Sequence, residues 1–132
     1  MNQELLLQAS LLEKESQQIQ QNLQLIDREV IELEQLTANL KNLAETKQKE
    51  ILSGIGKGLY LKTNLLEKDL FVQVGSGIIV KKTPQEASKI LESQIKALIE
   101  ARTQILSQLS INNQKLNEII TEIQKEAKNQ SQ

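Results

Sequence analysis

"LFVQVGSGIIVKK", residues 70–82, decides the fold of this chain, because it interrupts a sequence that otherwise has the pattern of a coiled coil. Two short apolar runs flank the turn Gly75-Ser76-Gly77, as in a β-hairpin. Upstream, "GLYLKTNLL" from residue 58 alternates in the manner of a strand, and "EKD" then makes a turn. The stretch "EILSGI" at 50–55 could add a fourth strand. Segment 50–82 therefore predicts three or four strands in one or two hairpins.

Long apolar seams lie on both sides of this segment and predict two helices, at 3–49 and 84–128. Their seam positions follow alternating steps of four and three residues, which a supercoiled helix requires. The first seam contains Leu5, Ala9, Leu12, Ser16, Ile19, Leu23, Ile26, Val30, Leu33, Thr37, Leu40 and Ala44. The second contains Leu91, Ile95, Leu98, Arg102, Ile105, Leu109, Asn112, Leu116, Ile119 and Ile123. Thr83 as a cap, Pro84 at the first position and Glu86 as the capping-box residue predict the start of the second helix.

Two such helices around a short insert predict one domain, 1–132, with a mainly α fold: a long antiparallel coiled-coil hairpin with a small β-hairpin insert at its closed end. If the hairpin is symmetric about the insert, facing residue numbers sum to about 131, which places Leu12 by Ile119. The same register brings Arg102 near Glu29 as a register-setting ion pair. It also places Asn112 beside Ser16 and Ile19. This position favours a structural role for Asn112, in specifying how the helices pair, over a chemical one.

Composition argues against an enzyme. The chain has no Cys and no His, which excludes disulfides, thiolate or imidazole metal sites, and Ser-His-Asp or Cys-His centres. "GIGKG" at 54–58 lacks a phosphate-loop pattern, because Ile51 stands where glycine is needed and Gly58 where Ser or Thr is needed. We therefore predict no catalytic residue, no metal and no cofactor. The five lysines of 54–83, in a chain whose only aromatic residues are Tyr60 and Phe71, are a weak case for nucleic-acid binding, so we expect no nucleic-acid partner.

Hydropathy and charge predict a soluble cytoplasmic protein. No apolar run reaches the roughly 18 residues that span a bilayer, and Glu4 stands where a signal peptide carries positive charge. The helices carry mixed charge behind their seams instead of the basic face of a membrane-surface helix, so we expect no membrane partner.

The predicted strands need a partner, because isolated hairpins are marginal in water and open strand edges promote aggregation. We expect the strands to pair with strands of other chains, closing an intermolecular β-barrel hub. The residues expected at this assembly surface are Leu59, Leu61, Leu65, Phe71, Val72, Val74, Ile78, Ile79 and Val80. A small sheet that caps the helical hairpin and pairs only within its own chain is the alternative.

The most informative motifs lie in residues 58–87: Gly58, Lys62, the pattern Val72-x-Val74-Gly75-x-Gly77, the apolar triplet and lysine pair that follow, and Glu86-Ala87 at the helix start. Through these motifs and the long helix on either side, nearly the whole chain resembles the alpha-type subunit of the prefoldin family. One departure is Ser53-Gly54, where the family often has a proline. The resemblance implies a heterohexamer of two alpha-type and four beta-type subunits. It also implies an ATP-independent chaperone that holds unfolded polypeptides and passes them to a group II chaperonin.

In that topology both chain ends lie at the tip of the coiled coil, where client chains would bind. The predicted client-binding residues are Leu5, Leu6, Leu7, Leu11, Leu12, Ile111, Ile119, Ile120 and Ile123. Exposed apolar residues clustered at a free tip are a plausible contact for non-native chains. In the alternative interpretation, the ends fray and these residues only cover the seam. An alternative function is a coiled-coil structural tether or adaptor that binds one folded partner.

Overall fold

A computed structural model describes residues 3–130 and shows two long helices with four strands between them. Helix α1 spans Gln3–Glu45 and helix α2 spans Pro84–Gln130. The strands are β1 (Glu50–Gly56), β2 (Leu59–Asn64), β3 (Leu70–Gly75) and β4 (Ile78–Lys82). Helix α1 thus ends at Glu45 where residue 49 was expected, and the two outermost residues at each end of the predicted domain 1–132 lie outside the described residues.

The strands form two separate antiparallel hairpins, β1–β2 and β3–β4. The optional fourth strand is present, and the two-hairpin alternative is the one observed. Both turns have the left-handed backbone of a type I′ turn, with φ of 48° and 79° at Lys57-Gly58 and 48° and 75° at Ser76-Gly77. This turn twists in the sense that paired strands require, so each Gly-x-Gly segment fixes its own hairpin locally.

Helix α2 begins at the predicted residue. The Glu86 backbone N–H donates to Thr83 Oγ1 at 3.1 Å, and the Ala87 N–H donates to the Thr83 carbonyl at 3.0 Å. The Glu86 carboxylate accepts a hydrogen bond from the Thr83 hydroxyl at 3.2 Å. The N-cap is therefore confirmed, and the capping-box glutamate contacts the hydroxyl of the cap.

Each of two compact units contains part of both helices. One unit comprises the described parts of residues 1–31 and 96–132, and the other comprises residues 32–95. In the first unit Ser16, Ile19 and Asn112 are buried, and in the second Leu33, Leu40 and Ala87 are buried. Every predicted seam residue of both helices is buried or half-buried, which confirms the two seams.

The predicted Arg102–Glu29 pair is wrong by two residues. Arg102 Nε lies 2.6 Å from Asp27 Oδ1, and the Ser16 hydroxyl donates to Asn113 Oδ1 at 3.4 Å. Asp27 lies 18 residues before the end of α1, and Arg102 lies 18 residues after the start of α2. In both contacts the residue numbers sum to 129, and together the two contacts make the helices antiparallel in this unit.

Asn112 places a polar amide in the apolar seam. It is 7% exposed, and its Nδ2 atom has no hydrogen-bond partner among the described residues. A buried, unsatisfied amide destabilises a protein by about 1–3 kcal/mol. Asn112→Leu is therefore expected to raise the free energy of unfolding by about 1–2 kcal/mol, measured by urea unfolding followed by circular dichroism.

The matched control for this change is Asn117→Leu at an exposed position of the same helix, which should alter stability by no more than about 0.5 kcal/mol. Lower stability in Asn112→Leu would contradict the expectation and show that the amide is needed to hold the seam in register.

Candidate functional site

Exposed apolar side chains are the main candidate functional features of the described residues. Within residues 3–130, no group of three or more Asp or Glu side chains is placed to hold a metal ion. Neither described helix has a stretch long and apolar enough to cross a membrane. These exposed residues form two candidate functional surfaces, one on the hairpins and one at the end of the paired helices where α1 begins.

The hairpin surface carries most of the predicted assembly residues in exposed positions. Leu59, Leu61, Phe71, Val74, Ile78 and Ile79 are 54–68% exposed, whereas Leu65, Val72 and Val80 are half-buried. On β3–β4, the register pairs Val72 with Val80 and Gln73 with Ile79. Because side chains alternate along a strand, Phe71 and Ile79 share the exposed face and Val72 and Val80 share the half-buried one.

Four further exposed apolar residues on this surface were missed from the sequence: Leu52, Ile55, Tyr60 and Leu66. Leu66, immediately after β2, is 97% exposed. Leu52 and Ile55 belong to β1, which the sequence left as an optional strand. Tyr60 lies on the face of β2 opposite Leu59 and Leu61, so the first hairpin exposes apolar side chains on both faces.

Unpaired edges of the β-strands lie next to these exposed apolar side chains. Each strand has a single neighbour among the described residues, so each hairpin has an unpaired edge on both sides. A hollow of about 640 Å³ is lined by residues of the first hairpin and of the loop that follows, together with Phe71 of the second. Open edges next to exposed apolar side chains suit the addition of further strands.

The tip surface combines exposed and half-buried residues. Leu6, Leu7, Leu11, Ile111 and Ile120 are 40–61% exposed. Leu5, Leu12, Ile119 and Ile123 are half-buried in the seam. The contacts bring three of these nine together, because Leu11, Leu12 and Ile119 line one cleft of about 420 Å³ with Gln8, Lys115 and Glu118 at its sides. The cleft is not lined by the other six predicted residues, which are Leu5, Leu6, Leu7, Ile111, Ile120 and Ile123.

Charged residues join the second hairpin to the loop that precedes it. Lys81 Nζ lies 3.0 Å from Glu67 Oε2 and 3.9 Å from Asp69 Oδ2. The hydrogen bond to Glu67, with the nearby negative charges, raises the pKa of Lys81. A raised lysine pKa means that the attraction is present at neutral pH and is lost only as the pH rises through that pKa.

Comparisons with known proteins agree with this architecture. A sequence profile described as "Prefoldin subunit" matches residues 12–131. Prefoldin subunit alpha of Pyrococcus horikoshii is 31% identical over 123 residues, covering 91% of this chain and 83% of that protein. Prefoldin subunit alpha 2 of Thermococcus kodakarensis is 34% identical over 79 residues, covering 59% of this chain and 56% of that protein. The chain thus matches only about half the length of the second relative.

A solved structure shares the fold. A chain in the cryo-EM structure of filamentous PFD from Methanocaldococcus jannaschii superposes with a TM-score of 0.74 at 21% identity, covering 86% of this chain and 95% of that one. Two long helices, each with an apolar seam, are joined by two β-hairpins, and this architecture defines a coiled-coil protein with a β-hairpin insert. This chain belongs to the prefoldin family, as its resemblance predicted.

Proposed function

We propose that this protein is the alpha-type subunit of a cytoplasmic, ATP-independent chaperone. It would hold unfolded or nascent polypeptides at the tip surface and transfer them to a group II chaperonin. The observation that carries the proposal is that one chain presents two different apolar surfaces. One surrounds open strand edges, and the other lies at the ends of paired helices.

The hairpin surface supports assembly. Open strand edges pair with strands of other chains, and closure into a barrel removes every edge. Exposed side chains such as Phe71 and Ile79 would then be covered by neighbouring subunits. The partners proposed are beta-type prefoldin subunits, in a heterohexamer of two alpha-type and four beta-type chains.

The tip surface supports weak client binding. Leucine and isoleucine side chains that are about half exposed can each bury only a modest apolar area against a client. Several tips around one space would bind the same client together, and multivalency then gives useful overall affinity from contacts that separately break easily. Reversible contacts of this kind suit transfer to a second chaperone.

The test is to purify the chain alone and mixed with a beta-type partner, and to measure mass and the suppression of aggregation of a denatured protein. A closed complex containing two copies of this 14.9 kDa chain, active in suppression, is expected only in the mixture. A one-to-one complex with a folded protein and no suppression would instead identify a tether.

A further inference from the structure

The C-terminal end of α1 is capped from a distant part of the chain. The last turn of α1 contains no basic residue, although cations stabilise the negative end of the helix dipole. Lys68, in the loop between β2 and β3, supplies the charge. Its Nζ donates to the Ala44 carbonyl at 2.8 Å and to the Thr46 carbonyl at 2.7 Å. These two carbonyls lie at the point where the helix stops.

The residues on either side of Lys68 contact a different element. Glu67 and Asp69 both approach Lys81, which lies on β4 in the second hairpin, at 3.0 Å and 3.9 Å. A third contact is independent of charge: the Leu65 N–H donates to the Lys49 carbonyl at 2.6 Å, which joins the start of this loop to the linker after α1. One short loop thus binds the end of α1 on one side and the second hairpin on the other.

We propose that Glu67, Lys68 and Asp69 form a clasp that fixes the β3–β4 hairpin against the C-terminal end of α1. All the groups involved belong to the compact unit of residues 32–95. Lys68 acts as the positioning residue, because it alone of the three reaches the helix end.

The consequence of the clasp for assembly rests on the proposed function. A hairpin that is already held in place loses less conformational freedom when a partner strand pairs with it, so association becomes tighter. Exposed ion pairs are individually weak, but hydrogen bonds from an ammonium group to helix-terminal carbonyls are charge-assisted and therefore stronger than neutral ones.

The test measures the position of the hairpin directly. Because the chain has no cysteine, Lys41→Cys and Gln73→Cys add the only two thiols, on exposed positions of α1 and β3, for spin labels. Pulsed electron paramagnetic resonance is expected to give one narrow distribution of the distance between the two spin labels. This distribution should broaden in Lys68→Met. Amide hydrogen exchange at Leu65 is expected to become about five- to tenfold faster in the same variant.

Two comparisons isolate the clasp. Lys47→Met removes the same charge from an exposed residue of the adjoining linker and should change neither measurement. Glu67→Lys and Lys81→Glu should each broaden the distribution. The double variant should narrow it again in part, because exchanging the two charges restores their attraction but leaves a carboxylate beside Asp69. An unchanged distribution and unchanged Leu65 exchange in Lys68→Met and in both single charge variants would overturn the clasp.

Assembly with a beta-type partner is measured separately. Lys68→Met is expected to assemble about three- to tenfold more weakly. If the distances respond as expected but the unaltered chain forms no complex, the clasp stands and the proposed function fails. If the distances respond and Lys68→Met assembles with unaltered affinity, the proposed effect of the clasp on association is overturned.

Discussion

The double variant Phe71→Glu, Ile79→Glu is expected to lose at least about 100-fold in apparent affinity for a beta-type partner, because each change replaces apolar contact area with a charge that must lose its water when a neighbouring subunit covers it, which costs several kcal/mol. The two side chains share the exposed face of the β3–β4 hairpin. In the free chain both glutamates would remain in water, so the fold should survive. The loss should therefore appear in assembly alone, measured by analytical ultracentrifugation of mixed subunits.

A matched control is Leu25→Glu, Ile31→Glu. These residues are 60% and 55% exposed on α1, close to the exposure of the hairpin pair, and lie outside both hairpins. The control should assemble normally, and circular dichroism should show unaltered helix content in both double variants. Equal assembly of the two variants would contradict the assembly role of the hairpin surface. It would favour hairpins that only cap the helices of their own chain.

Replacing Leu6, Leu7, Leu11 and Ile120 together with Ser is expected to raise the concentration needed to suppress aggregation of a denatured client by about five- to tenfold, while the complex stays intact. The residues are exposed on the tip surface, so their loss removes apolar contact area with little effect on the seam. Because several tips act on one client, small losses at each tip multiply into a large loss of overall affinity. Light scattering measures suppression, and ultracentrifugation checks the complex.

The control for the tip variant also places four serines on exposed apolar positions of the same two helices, further from the tip. Its substitutions are Leu25, Ile31, Ile99 and Leu106 to Ser. Serine lowers helix propensity to a similar extent in both sets, so general destabilisation of the helices is matched. Full suppression by the tip variant, or an equal loss in both, would contradict client binding at the tip.

Local patterns predicted most of the fold. The seams could be assigned from sequence because the packing of a coiled coil repeats every seven residues, so the spacing of apolar residues indicates which positions are buried. The β3–β4 hairpin could be predicted equally well from the sequence, since Gly75-Ser76-Gly77 adopts a turn that depends only on backbone sterics. The same Gly-x-Gly pattern at 56–58 could have indicated the first hairpin with equal certainty.

Candidate site residues were harder to predict than elements. Residues outside the seam, such as Leu7 and Leu11, were expected to be exposed and are. Tyr60 and Leu52 were missed because alternation along one strand identifies two faces but does not say whether either is covered. Lys68 gave no signal at all in the sequence, where "EKD" has only the composition of a polar turn.

The sequence by itself determined the two seams, the start of α2 at Pro84 and the turns of the hairpins, because each depends on residues within a few positions of one another. Only the tertiary structure decided where α1 ends, that Asp27 and not Glu29 pairs with Arg102, and that Lys68 caps a helix 24 residues away. These features depend on contacts between distant segments. Several helix ends and several ion pairs were locally acceptable, and packing within each compact unit selected among them.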